Sequence, residues 1–593
     1  MAAVVVAETL ADVLCNGDQK SKLLLGYQTE TEIILLACAE LPSATDLEEK
    51  RQKLNFLLAG GVSVVGIALL ASEENVDYSK YGKYFNNLDR QKVFIYLQRG
   101  ANKSSIKAAE LISQDNTATT VDFDVVSVDL LSRFVIGRCK CDIPVSFTVD
   151  GKGKGAWKDS LTAEIEKLAD SILSNRTVFH LQSSQKLLSV SGCKGLPDDA
   201  TYADLASCIE EEEEEGINTR SKMKQKVAKL KEVLQFDVYT DLNIAGYNDT
   251  LPTCSPVISY NTEPVKTVKL VLHIDAVSLF QNKTLVSELV VTVSEAIKNQ
   301  LLAMKQCICY YSKGDKFILP EVYHFQPMEL STLFNVIYPW NVRDDQLEKE
   351  RRLLHQCLCL PADRPLFRRA NKFRFPVEGQ DGSYLKNVHL NCPKSKVSGG
   401  KQYTVRGNYT YHHYMQDRFD DNKWGCAYRS LQTLVSWFKL QGYTERDIPT
   451  HKEIQQTLVD IGDKEPNFVG SRKWIGSMEV SFVLDTLLEV QSKILNVSSG
   501  GDLASKGREL AQHFTTQGTP IMIGGGVLAH TILGADYNEV TGDINFLILD
   551  PHYTGAEDLK TIIDKGWCGW KDANFWEKNA HYNLCMPQRP KVL

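Results

Sequence analysis

No apolar run in this chain is long enough to cross a bilayer. The longest, Phe56 to Ala71, spans 16 residues and is broken by three glycines and a serine, where a membrane helix needs about 20. The apolar start Met1-Ala-Ala-Val-Val-Val lacks the basic flank of a secretory signal. Positive charge is not in excess either. Lys and Arg number 67 against 74 Asp and Glu, a net −7 over 593 residues, which predicts no general attraction to nucleic acid or anionic lipid and no direct membrane insertion. Cysteine is plentiful, at fifteen, but no two stand at Cys-x-x-Cys spacing. The pairs Cys139/Cys141, Cys307/Cys309 and Cys357/Cys359 have the spacing that puts two side chains on one face of a strand, not the spacing of a zinc site. Metal and cofactor are therefore not expected. Scattered cysteines in a chain of this length read as free thiols of a reducing compartment, cytosol or nucleus. Internal repeats are lacking too.

What is present is ordinary for a globular protein, 43% hydrophobic and 24% charged, with length for about four domains or fewer. Residues 1–205 read as strand-rich α/β, with strands at Leu23–Tyr27, Glu32–Ala39, Val62–Leu70 and Lys92–Gln98. Leu161, Ile165, Leu168 and Ile172 mark one face of a helix. The run Glu210–Glu215 and the basic stretch after Lys222 indicate a charged linker over 206–235. A second α/β region, 236–395, follows, with an alternating strand at Val268–Ile274 and a helix at Leu285–Met304. The last region, 396–593, is aromatic and punctuated by glycine, and it carries most of the candidate chemistry.

Within it, Asp421 and Asn422 are helix-start signals, and a helix is expected to open near Gly425 or Cys426. Leu431, Leu434, Val435 and Phe438 then share one buried face. A cysteine in the first turn meets free backbone N–H groups and the positive end of the helix dipole, which favour a thiolate nucleophile. The alternative is a small buried thiol. Ile544–Leu549 reads as a strand that Pro551 ends. Extended backbone would send Asp550 and His552 to the same side, the carboxylate orienting an imidazole base. The alternative is a surface turn begun by Asp-Pro. His530, in an apolar run after three glycines, is a rival base that reads better as a core histidine. The cluster Tyr409, Tyr411, His412, His413 and Tyr414 offers a hydroxyl to a developing oxyanion, or aromatic packing.

Taken together, Tyr409–Phe438, Gly524–Gly534 and Leu549–Ala556 resemble the ubiquitin-fold modifier specific cysteine proteases. The long N-terminal extension and the ending Tyr582–Pro590 resemble the longer of their two types. The resemblance implies an α+β fold with a papain-like protease domain at the C-terminus. It casts Cys426 as nucleophile, Asp550 and His552 as its partners, and Tyr414 as oxyanion donor. It implies a thiol peptidase and isopeptidase that cleaves after the modifier's C-terminal glycine, maturing the precursor and releasing conjugates. It further implies a membrane-anchored adaptor recruiting the chain to the cytosolic face of the endoplasmic reticulum. Leu58–Leu70 is similar to a strand of MPN (JAB-like) domains, but Gly66–Ser72 holds no His-x-His, which implies an inactive MPN-like domain that binds partners. Two other readings stand beside this one: an adaptor of the modifier pathway with minor catalysis, and an autophagy-type cysteine peptidase, which shares the Cys and Asp-Pro-His arrangement.

Overall fold

A computed structural model describes residues 3–16, 21–29, 31–41, 47–70, 94–99, 107–112, 117–126, 130–149, 157–174, 176–182, 184, 186–215, 233–240, 266–314, 316–375 and 384–593. The chain divides into two compact units, Met1–Pro361 with Lys372–Gly379, and Ala362–Asn371 with Gln380–Leu593.

The first unit contains two large sheets. One has eight strands and uses Lys22–Gln28, Glu32–Glu40, Ser63–Leu70 and Phe94–Arg99, close to where strands are expected. In the other, Val135–Val149 pairs antiparallel with Lys266–Phe280 along their whole length, from Val135 opposite Phe280 to Val149 opposite Lys266. Val233–Thr240 lies between Val135–Val149 and Thr177–Leu181 in the same sheet. The division expected at 206–235 therefore does not separate two folding units, because strands from both sides complete one ladder. Of that stretch, 216–232 lies outside the described residues, and the glutamate run ends the helix Tyr202–Glu215. The helices Trp157–Ile172 and Val286–Tyr311 cover this sheet through Leu161, Ile165, Leu289, Val293 and Ile297.

The second unit is built on an antiparallel sheet ordered Ser492–Val497, Tyr582–Pro587, Ile521–Gly525, Leu528–Tyr537, Ile544–Leu549, Cys568–Asp572, with Lys401–Thr404 pairing alongside Leu528–Tyr537. Side chains alternate across it as strand geometry requires. Met522, Leu547, Leu549 and Cys585 enter the core on one face, while Ile521, Ile523, Phe546, Ile548, Leu584 and Met586 enter the core on the other. The first core receives the helix Cys426–Leu440, and the second receives Leu510 and Phe514 of the helix Gly507–Thr516.

The Cys426–Leu440 helix departs from the one-faced expectation. Every residue from Cys426 to Phe438 is buried. A helix enclosed on all sides must satisfy its polar residues internally. Here Ser436 Oγ accepts from Thr410 N (2.9 Å), Thr433 Oγ1 from His412 N (3.2 Å), and Gln432 donates to the Pro449 carbonyl (2.9 Å). The first two bind the Tyr-His segment along the helix, so that Tyr414 follows toward its N-terminus. Among the described residues, no helix is long and apolar enough to cross a membrane.

Candidate active site

The helix opens at Cys426, with Gly425 as its N-cap residue and no side chain capping it. Asp421, expected as a start signal, is instead fully buried and paired with Arg429. Its carboxylate takes the guanidinium at 2.6 Å, an attraction that outweighs a cap bond. Cys426 is buried, with 9% of its surface exposed.

On the sheet side, Ile544–Leu549 ends and Asp550 follows, its N–H donating to the Trp567 carbonyl (2.8 Å). The approach of Asp550 and His552 arises from a turn, not from strand alternation. Asp550 Oδ1 accepts from the His552 backbone N–H at 2.9 Å and meets His552 Nδ1 at 2.5 Å. This is an Asx-turn, in which an aspartate side chain stands in for a backbone acceptor two residues on. The turn and the paired carboxylate and imidazole are one object. His552 Nε2, at the other end of the ring, is buried with no hydrogen-bond partner within the protein, and the Cys426 thiol is near enough to raise the imidazole's pKa.

Burial alone would push the Cys426 thiol up. Hydrogen bonding to His552, the His552 charge, the Tyr414 hydroxyl and the Ala529 backbone N–H outweigh burial and hold the thiol below its ordinary value. Burial alone would likewise depress His552, but the bond to Asp550 and the one to Cys426 prevail and lift it to about 9. Asp550 would be pushed up by burial alone, but its bonds to His552 and the charges of His530 and His552 together outweigh burial and hold it below the ordinary carboxylate range. The three groups thus favour thiolate, imidazolium and carboxylate in line.

Tyr414 closes the site from above the helix start. Its ring is 3% exposed and stands edge-on to the His552 ring, centroids 5.3 Å apart at 89°. Its backbone N–H donates to the Pro551 carbonyl (2.9 Å), so the tyrosine segment and the turn that carries the histidine are tied together. Its hydroxyl interacts with both the sulfur and the backbone N–H of Cys426, and burial first, then the thiolate, pushes its pKa up. Two donors, the Tyr414 hydroxyl and the Cys426 N–H, therefore converge beside the sulfur. Tyr409 and Tyr411 belong to the core, and the Tyr411 hydroxyl donates to the Asp550 carbonyl. His412 is a core residue bonded to Thr410 (2.9 Å) and depressed to about 3 by burial.

His530 is not remote from the site, as a plain core histidine would be. Its Nε2 lies 3.9 Å from Asp550 Oδ2, and its ring is 5.2 Å from that of His552 and 5.2 Å from Phe575. Burial depresses it to about 4, so it is a neutral wall at working pH. Ligand atoms of His530, Asp550 and His552 come within 4.8 Å of one another, close enough to hold a metal ion. The proton that Asp550 and Cys426 keep on His552 opposes that use, because a metal needs neutral imidazole. Sequence reasoning missed the Ala529 N–H, which no side chain reveals. It also missed Arg429, and Glu557, which bonds His413 (3.1 Å) beneath Tyr414.

Comparison with known proteins now decides the family. Residues 400–585 match the model of Peptidase family C78, and residues 162–380 match that of the Ubiquitin-fold modifier 1 specific protease 2 N-terminal region. The human Ufm1-specific protease 2 is 45% identical over 469 residues, 78% of this chain and 99% of the human one. The chain belongs to the Ufm1-specific protease 2 family. It is a cysteine protease with a papain-like C-terminal domain. Other relatives in the family include the chicken Ufm1-specific protease 2, 43% identical over 77% of this chain and 100% of its own. The Drosophila melanogaster probable Ufm1-specific protease 2 is 41% identical over 73% and 75%. The crystal structure of UfSP from C. elegans covers 100% of both chains with a TM-score of 0.67 at 25% identity.

Proposed function

We propose that this chain hydrolyses the bond after the C-terminal glycine of Ufm1, both maturing its precursor and releasing it from lysine side chains. Cys426 thiolate attacks the glycine carbonyl, and the Tyr414 hydroxyl and Cys426 N–H receive the oxyanion. His552 gives its proton to the leaving amine while Asp550 stabilises and orients the imidazolium. The resulting thioester is hydrolysed by water whose proton returns to His552. The observation that carries this reading is the Asp550–His552 pair at 2.5 Å, with the Tyr414 ring edge-on to the imidazole and Cys426 opening a buried helix.

The test is a panel of ubiquitin-like modifiers carrying C-terminal electrophiles. An adduct with Ufm1, mapped to Cys426, supports the assignment. An adduct with an autophagy modifier alone would favour the autophagy-type reading, and no adduct at all would favour an adaptor. We also propose that the chain works at the cytosolic face of the endoplasmic reticulum, held by a membrane-anchored adaptor, with an inactive MPN-like module at its N-terminus. The absence of His-x-His from Gly66–Ser72 supports the module's lack of catalysis. Fractionation of the full chain from cells with and without detergent tests the location; recovery only in the cytosolic fraction would overturn it.

A further inference from the structure

The loop from Met415 to Trp424 joins the oxyanion tyrosine to the nucleophile, and its backbone is under strain. Met415, Asp417, Arg418 and Lys423 have φ of 63°, 61°, 57° and 72°, a region that residues with a Cβ avoid. Four such residues in one loop persist only where the surroundings over-determine them.

A buried ion pair supplies that constraint. Arg429 is fully buried, one turn into the helix from Cys426. Its Nε donates to Asp421 Oδ2 (2.6 Å), Nη1 to Asp417 Oδ2 (3.0 Å) and Gln432 Oε1 (3.1 Å), and Nη2 to the Gln416 carbonyl (3.0 Å). Asp421, also fully buried, accepts from the Met415 N–H through Oδ1 (2.8 Å), and its carbonyl accepts from the Gly425 N–H (2.8 Å). His451 Nε2 lies 3.0 Å from Oδ2 on the far side. One aspartate thus holds the residue after Tyr414 and the residue before Cys426.

We infer that the Asp421–Arg429 pair is a positioning device that sets the distance between the Tyr414 hydroxyl and the Cys426 N–H. The inference rests on the catalytic reading of Cys426 and Tyr414 given above. Neither Asp421 nor Arg429 touches the reacting atoms. Stability alone is a weak reason for burying such a pair, because packed apolar groups often match it. The planar guanidinium fork instead fixes direction as well as contact, which is what two converging donors require. Lysine, a point charge, would not reproduce the four bonds.

The experiment measures turnover of Ufm1 precursor by the full chain carrying Asp421→Asn or Arg429→Lys, each in the wild-type and the Tyr414→Phe background. Near-UV circular dichroism checks folding. Asp421→Asn is expected to lower kcat by about 10²-fold, the scale of a 1 Å misplacement, with KM little changed. In the Tyr414→Phe background the same substitution is expected to cost far less, because the donor it positions is already gone. Arg429→Lys is expected to lower kcat although its charge is kept. Equal losses in both backgrounds, or full activity of Arg429→Lys, would overturn the inference. Should a single variant fail to fold, Asp421→Asn with Arg429→Gln removes both charges, and the same comparison of backgrounds decides. Failure of the underlying catalytic reading would show separately, as turnover retained by Cys426→Ser.

Discussion

Replacing Tyr414 by phenylalanine removes one oxygen from the site and almost nothing else. The ring contact with His552, at 5.3 Å and 89°, is available to phenylalanine, and the backbone bond to Pro551 (2.9 Å) involves no side chain. What disappears is the hydroxyl beside the Cys426 sulfur and N–H. Loss of one oxyanion donor costs about 10²–10³ in kcat, or ~2.7–4 kcal/mol. The Cys426 N–H remains, so turnover should not vanish. The folding cost should be near that of one hydrogen bond, about 1 kcal/mol. The same hydroxyl helps to hold the Cys426 thiol low. Its removal raises that pKa, so the acid limb of kcat/KM should move to higher pH. Cleavage of Ufm1 precursor under saturating and limiting substrate, across pH, separates the two effects. A kcat unchanged from wild type would demote Tyr414 to packing. A loss confined to KM would assign it to substrate binding.

Three further outcomes are expected. The profile of kcat/KM should fall above about pH 9, where His552 loses the proton it must donate; below that pH the imidazolium persists because its folded pKa is raised, so a profile already falling near neutrality would contradict the ion pair. Gly425→Ala should destabilise the chain by roughly 1–3 kcal/mol, since a Cβ there would lie 2.6 Å from both Cβ and Oδ2 of Asp421; thermal melting checks this, and an unchanged midpoint would show that the aspartate yields. His530→Gln should keep most of its turnover, because burial holds that imidazole neutral at about 4; a loss equal to that from His552→Ala would exchange their roles.

The sequence made some parts of this site plain and concealed others for physical reasons. The helix opening at Cys426 was legible because Asp421 and Asn422 read as start signals and apolar residues recur at helical spacing, although Asp421 does not cap the helix. Asp550 and His552 were legible as a pair, although through a turn instead of an extended strand, since both conformations bring i and i+2 together. The role of Arg429 was not legible. Placed on a helix whose apolar stripe accounts for only one face, it reads as a solvent-facing charge until the second face is found enclosed. Asp421 carries the letter of a helix cap, yet its carboxylate is drawn to Arg429 and His451. In the first unit, strand positions followed from local patterning, but pairing did not. The ladder between Val135–Val149 and Lys266–Phe280 joins segments more than a hundred residues apart, and nothing in either strand names its partner.

The central claim is that imidazole and carboxylate keep a buried sulfur ionised. It is tested most directly by the rate at which iodoacetamide alkylates Cys426 as a function of pH, read by peptide mass mapping in wild type and His552→Ala. In wild type the reactive form should persist well below the ordinary thiol range. In the variant, where burial acts without its opponent, the titration should move up to that range or beyond it. Superimposable curves for the two proteins would contradict the account.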